Sequence, residues 1–150
     1  DERQFCSPGF DLPVGRLTRS PNGVYPEYHS SADDLTLLKP EKLAESIRVL
    51  ARLIAVVDAN RFPLNLNPKG EPRLGKRGLY APMGGRAPGE FEHALLWVLS
   101  LADGTHDLVS IAARAHLPFE LIEHAAAELE RVSLVATLGA QRAGTTESTT

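Results

Sequence analysis

The residues best suited to chemistry lie in one stretch, Tyr25-Pro26-Glu27-Tyr28-His29-Ser30-Ser31-Ala32-Asp33-Asp34. A neutral imidazole is a common zinc ligand, and it usually needs a carboxylate or carbonyl to fix its tautomer. Asp33 follows His29 by four places, and the small residues Ser30, Ser31 and Ala32 allow a tight turn between them. The stretch reads as one corner of a metal site, with His29 as the ligand. The plainer alternative is a polar histidine in a loop, because one imidazole cannot close a metal geometry by itself. Tyr25 and Tyr28 flank that corner, as pocket walls or as packing. Cys6 is expected to be a buried structural thiol rather than a nucleophile, since nothing nearby announces a base. His93, His106, His116 and His124 have no ligand spacing with a cysteine and are read as structural.

The elements around this corner follow from periodicity and punctuation. Residues 1–24 carry Pro8, Gly9, Pro13, Gly15, Pro21 and Gly23, so turns and extended pieces are expected there, with a short strand through Phe10, Leu12, Val14 and Leu17. Pro40 suits a first helical position, and Leu43, Ile47, Leu50, Ile54 and Val57 then recur on one helix face. That stripe predicts a long helix buried against a sheet, ended by Asp58-Ala59-Asn60 and Pro63.

From 62 to 89, prolines and glycines alternate with Lys69, Arg73, Lys76, Arg77 and Arg86. The stretch reads as a basic linker strap between two units, because so long a loop inside one domain is uncommon. Residues 90–138 predict three helices: one through Phe91 to Leu101, one capped by Asp107, and one from Phe119 to about Val132 after the Leu117-Pro118 turn. A short strand through Leu134, Val135 and Thr137 follows, which together suggests an α+β winged helix-turn-helix. Residues 139–150 have the composition of a disordered tail.

Composition narrows the classes. One hundred and fifty residues make one ordinary domain or two small ones, and 43% hydrophobic with 23% charged residues is a soluble globular balance. A formal charge of -3 offers no general attraction to nucleic acid or to an anionic membrane, and neither is expected as a partner. A single cysteine excludes an internal disulfide and fits a reducing, cytoplasmic setting. No signal peptide or membrane-spanning run is in view. The chain opens on Asp1 in what reads as mid-domain sequence, so it is expected to be the C-terminal part of something longer.

The motif Pro26-Glu27-Tyr28-His29-Ser30-Ser31-Ala32-Asp33-Asp34 resembles the final ligand motif of the co-catalytic zinc aminopeptidases and of the related glutaminyl cyclases. Asp1-Glu2-Arg3-Gln4-Phe5 with Gly9 and Pro13 resembles the clan's Ser-Asp-His-x-x-Phe-x-x-x-Gly-x-Pro segment. Leu66-Asn67-Pro68-Lys69-Gly70-Glu71-Pro72 and Leu74-Gly75-Lys76-Arg77-Gly78-Leu79-Tyr80 extend the likeness to bacterial aminopeptidase-like proteins with a C-terminal winged-helix domain. Those proteins often occur in surface-polysaccharide gene contexts.

The resemblance implies that residues 1–61 are the C-terminal part of a doubly wound α/β zinc-peptidase fold. It makes His29 a zinc ligand, Asp33 a residue behind it or bracing its loop, and Asp1, Glu2 and Tyr28 part of the substrate rim. Glu2 stands where the clan has His, and Ser30 where it has Thr. The other ligands of the one or two zinc ions and the general-base carboxylate would lie ahead of Asp1. Zinc would lower the pKa of bound water and polarise the carbonyl of a peptide- or amide-type substrate. The complete protein is expected to be a hydrolase and this chain alone to be inactive. The reading from another class is a non-catalytic winged-helix interaction or regulatory protein. The winged helix is expected to dock within its own chain or on a second subunit, because its third helix carries Glu120, Glu123, Glu128 and Glu130 against Arg131.

Overall fold

The computed structural model describes residues 2–80 and 89–138. Asp1, the part of the expected strap at 81–88 that holds Arg86, and the expected tail at 139–150 lie outside the described residues. The chain divides into two compact units between Ile47 and Arg48.

The first unit holds a short helix α1 (Glu2–Phe5), a series of turns, a 3-10 turn over Leu35–Leu37 and the beginning of α2 (Pro40–Ala59). The strand expected through Phe10 to Leu17 is absent. The chain turns there instead, with the Leu12 amide donating to the Phe5 carbonyl at 3.0 Å and the Val14 amide to the Leu12 carbonyl at 2.8 Å. No other strand of the described residues lies alongside to pair with it. Arg19 ties the loops to α2 through Glu45 at 2.9 Å and the Lys42 carbonyl at 2.9 Å.

Helix α2 begins at Pro40, where a missing N–H costs nothing, and places Glu41 in the first turn. Its expected burial against a sheet is overturned in this chain: none of its residues is buried. Leu43, Ile47, Leu50, Ile54 and Val57 are exposed by 51%, 67%, 44%, 68% and 74%. The reason is plain in the topology. Among the described residues the only sheet has two strands, and it belongs to the second unit. The doubly wound α/β layer is likewise not found among the described residues.

The second unit runs from the end of α2 through β1 (Phe62–Asn65), a 3-10 turn at Leu74–Arg77, α3 (Glu90–Leu101), α4 (Leu108–Ala115), α5 (Phe119–Arg131) and β2 (Val135–Leu138). β1 and β2 pair antiparallel, Phe62 opposite Leu138 and Asn65 opposite Val135. The turn after α3 closes on the other edge of β1, where the Asn65 amide donates to the Ala102 carbonyl at 2.7 Å and the Gly104 amide to the Pro63 carbonyl at 2.9 Å. Three helices thus cover a small sheet, and Leu95, Val98, Leu108, Ile111, Ile122, Leu129 and Leu134 form the buried core. At about 1.5–3 kcal/mol for each fully buried aliphatic side chain, this core supplies the apolar stabilisation of the unit.

Residues 62–80 of the expected strap are more than a solvated linker. They contain β1, and they place Leu74 and Leu79 in the core at 1% and 6% exposure, with Pro63 also fully buried. In the sequence Pro63 reads only as the end of the preceding helix, and proline cannot donate to a ladder. Its carbonyl still accepts from Gly104, and that suffices here. Gly78 closes the 3-10 turn at φ 73°, a left-handed conformation that glycine adopts without strain.

The helix-turn-helix follows its sequence signals closely. The Asp107 side chain accepts from the Ser110 amide at 2.8 Å and caps α4. His116, at φ 53°, ends that helix in the left-handed region, and Pro118 leads into α5.

Candidate functional site

The loop carrying His29 is built from nested turns. The Tyr28 amide donates to the Tyr25 carbonyl at 3.2 Å, Ser30 to Glu27 at 3.0 Å, and Asp33 to Ser30 at 3.2 Å. The Ser30 hydroxyl locks the centre, donating to the Glu27 carbonyl at 2.7 Å and accepting from the Ala32 amide at 3.2 Å. His29 sits at the apex with φ 57°, a conformation that non-glycine residues rarely adopt. Its ring is exposed and stands edge-on to Tyr28, centroids 4.2 Å apart, while Tyr28 in turn meets Tyr25 at 5.5 Å.

The two aspartates act on different neighbours. Asp33 faces the Tyr25 hydroxyl; partial desolvation first, then the Asp33 carboxylate, push that phenol above its ordinary range. Asp34 caps the 3-10 turn, accepting from the Thr36 amide at 2.8 Å and the Thr36 hydroxyl at 2.6 Å. Those two bonds hold its carboxyl below the usual range. Glu2 pairs with Arg16 at 3.5 Å and lines an open depression of about 480 Å³ with Arg3, Gln4, Ser7 and Phe10, a lining that includes neither Tyr28 nor His29. Asp1 lies outside the described residues. Cys6, expected to be buried, is exposed, with its thiol directed at the Val14 carbonyl at 3.4 Å.

The donor chemistry at His29 suits zinc, but the donor number does not. Among the described residues no three His, Cys, Asp or Glu side chains converge to hold a metal ion. The described residues therefore do not by themselves close a zinc site.

Two polar clusters of the second unit escaped sequence reasoning. In the turn after α3, Asp103 accepts from the Thr105 amide at 2.8 Å, the Thr105 hydroxyl at 2.8 Å and the His106 amide at 3.0 Å, and it contacts His106 Nδ1 at 2.9 Å. The Thr105 amide above all holds its carboxyl far below the usual range. An Asp three residues before a His is a turn-capping signal that could have been found. The second cluster joins Asn60 and Arg61 to α4 and α5. Its partners are 47, 62 and 69 residues away in sequence, so no local signal could reveal it.

Three helices, a turn before the third and a β-strand on either side of them define a winged helix-turn-helix. A family model of that description matches residues 61–137, just over half of the chain, and the chain belongs to that family. Residues 1–60 match a domain of unknown function (DUF4910). A Clostridium acetobutylicum protein, provisionally named a polysaccharide biosynthesis protein with an aminopeptidase-like domain, is 46% identical over 136 residues, which are 90% of this chain and 31% of that protein. A crystal structure of a provisionally named peptidase from Clostridium acetobutylicum is 42% identical with a TM-score of 0.76, over 92% of this chain and 30% of the other. The chain spans about a third of the length of these relatives. Among the described residues no helix is long and apolar enough to cross a membrane.

Proposed function

We propose that this chain is the C-terminal part of a zinc-dependent, aminopeptidase-like hydrolase acting on a peptide or amide bond, with His29 as one zinc ligand of the complete protein. The observation that carries the reading is the likeness to a Clostridium protein named for an aminopeptidase-like domain, 46% identical across 90% of this chain, including the His29 loop. The exposed ring of His29, presented on a turn fixed by Ser30 and flanked by Tyr28, suits a ligand completed by residues outside this chain. Asp1, Glu2 and Tyr28 belong to the substrate rim in this reading, and Asp33 holds the loop through Tyr25.

Metal analysis of the complete protein, with and without His29→Ala, tests the proposal together with hydrolysis of aminoacyl amides before and after chelation. Loss of bound zinc and of hydrolysis in the variant is expected. Zinc content unchanged by His29→Ala would remove this residue from the site. The 150-residue chain alone is expected to hold little zinc.

The winged helix, in the same reading, serves docking rather than nucleic acid. α5 bears four glutamates against Arg131 over residues 120–131, and phosphate neutralisation drives most nonspecific DNA affinity. Titrating the chain with random duplex DNA at several salt concentrations tests this, with no submicromolar binding expected.

A further inference from the structure

In a DNA-reading helix-turn-helix the helix after the turn presents its outer face to the major groove. Here that helix is α5, and its buried face is Ile122, Ala125, Ala126 and Leu129. Its exposed residues are Glu120, His124 and Arg131, and a flanking stripe of half-buried residues holds Glu123, Ala127 and Glu130. This stripe is already engaged. Arg61, only 20% exposed, reaches Glu123 Oε1 with Nη1 at 3.4 Å and Glu130 Oε1 with Nε at 3.4 Å. Glu130 also accepts from the Thr137 hydroxyl of β2.

The same guanidinium turns back to the helix that precedes it. Arg61 Nη1 donates to the Ala59 carbonyl at 3.1 Å, at the C-terminal end of α2, where unpaired carbonyls favour a cation. Asn60 and Arg61 also complete the start of α4. The first amides of that helix are taken in order: Leu108 by the Arg61 carbonyl at 3.1 Å, Val109 by Asn60 Oδ1 at 3.1 Å, and Ser110 by Asp107. The Asn60 amide then donates to Asp107 Oδ2 at 2.8 Å. Two consecutive residues thus bind the end of α2, the start of α4 and a flank of α5. They also straddle the place where the two family matches meet, one ending at residue 60 and the other beginning at 61.

We propose that this half-buried flank of α5 is a docking surface for this chain's own Asn60-Arg61 joint, so that the winged helix works as an intramolecular clamp on the C-terminal end of α2. The partner this surface fits is a guanidinium delivered beside a helix C-terminus. Arg61 is the positioning residue of the clamp. The proposal rests on the docking reading given above and not on zinc or hydrolysis.

Amide hydrogen exchange of the whole 150-residue chain tests it without metal or substrate, so its outcome is separate from that of the peptidase reading. Arg61→Gln is expected to speed exchange in the last turn of α2, residues 56–59, by tenfold or more, while the amides of Leu95 and Val98 keep their protection. Glu123→Gln with Glu130→Gln should do the same from the other side of the pair. Arg61→Glu combined with Glu123→Arg and Glu130→Arg should return most of the lost protection. If Arg61→Gln also releases Leu95 and Val98, the glutamine pair on α5 decides. Unchanged exchange at 56–59 in the glutamine pair overturns the clamp.

Discussion

Leu95 and Leu43 are both leucines on apolar helix stripes, yet the first is fully buried and the second is 51% exposed. The contrast extends to their surroundings. Around Leu95, three helices and a pair of strands enclose one continuous core. Around Leu43, α2 carries an equally regular stripe with none of its residues buried. A stripe therefore specifies which face is to be covered, and it says nothing of what covers it. In the second unit the cover lies within the same hundred residues. For α2 it does not lie among the described residues, and the chain spans about a third of the length of its relatives.

The sharpest way to break this comparison is to truncate both leucines. Leu95→Ala is expected to destabilise this chain by about 2–5 kcal/mol, the range for emptying a fully packed leucine site. Leu43→Ala should change it by less than about 0.5 kcal/mol, because exposed positions tolerate truncation and alanine is the better helix former. In the complete protein the two substitutions should cost similar amounts. Urea unfolding followed by circular dichroism, on this chain and on the complete protein, would show whether Leu43 gains its cost only in the latter. Equal small effects in both would mean that α2 stays uncovered.

A smaller effect is expected at the start of α4. Asp107→Ala removes a cap and the Asn60 contact together, and should cost about 1–2 kcal/mol by the same measurement. The corresponding cap in the first unit, Asp34, holds a single 3-10 turn with no core beneath it. Its removal should leave the unfolding midpoint unmoved.

Acid acts on the second unit through two of its carboxyls. Burial pushes the Asp107 carboxyl up, but bonds from the Ser110 hydroxyl, the Asn60 amide and the Ser110 amide outweigh it and leave it below the usual range. Asp103 is lowered too, chiefly by the Thr105 amide. Folded carboxyls held low contribute stability that is present above their unfolded pKa and lost as pH falls through the folded one. The second unit should therefore weaken progressively below about pH 4. Asp103→Asn should flatten that acid limb in a plot of urea midpoint against pH, and an unchanged slope would contradict the assignment.

What could be read from the sequence follows the same division. α3, α4, α5 and the Asp107 cap announced themselves because each rests on signals within a few residues: periodicity, a capping aspartate, a proline after a turn. β1 hid behind Pro63, whose missing N–H is harmless where only its carbonyl is needed. α2 was legible as a helix and illegible as a surface, since its partner is not local. The His29 corner reads as a motif, and the structure adds its turn geometry and the Tyr28 contact. The Arg61 joint had no local signature, because its glutamates come 62 and 69 residues later.

The smallest expected effect isolates what burial does for an ion pair. Arg52 on α2 meets Glu120 of α5 at 3.0 Å, a shorter contact than either of Arg61's. Distance alone would rank it first. Exposure reverses the order: the Arg52 and Glu120 side chains are 79% and 64% exposed, against 20% for Arg61. An exposed pair gains little in high dielectric, loses side-chain entropy, and is screened by salt. A double-mutant cycle with Arg52→Ala and Glu120→Ala should return a coupling below about 0.5 kcal/mol that vanishes in molar salt. The cycle for Arg61 with Glu123 should return a larger coupling that survives the same salt. If the Arg52 pair proves the stronger, α5 is held from α2 itself, and the joint at Asn60-Arg61 is not its anchor.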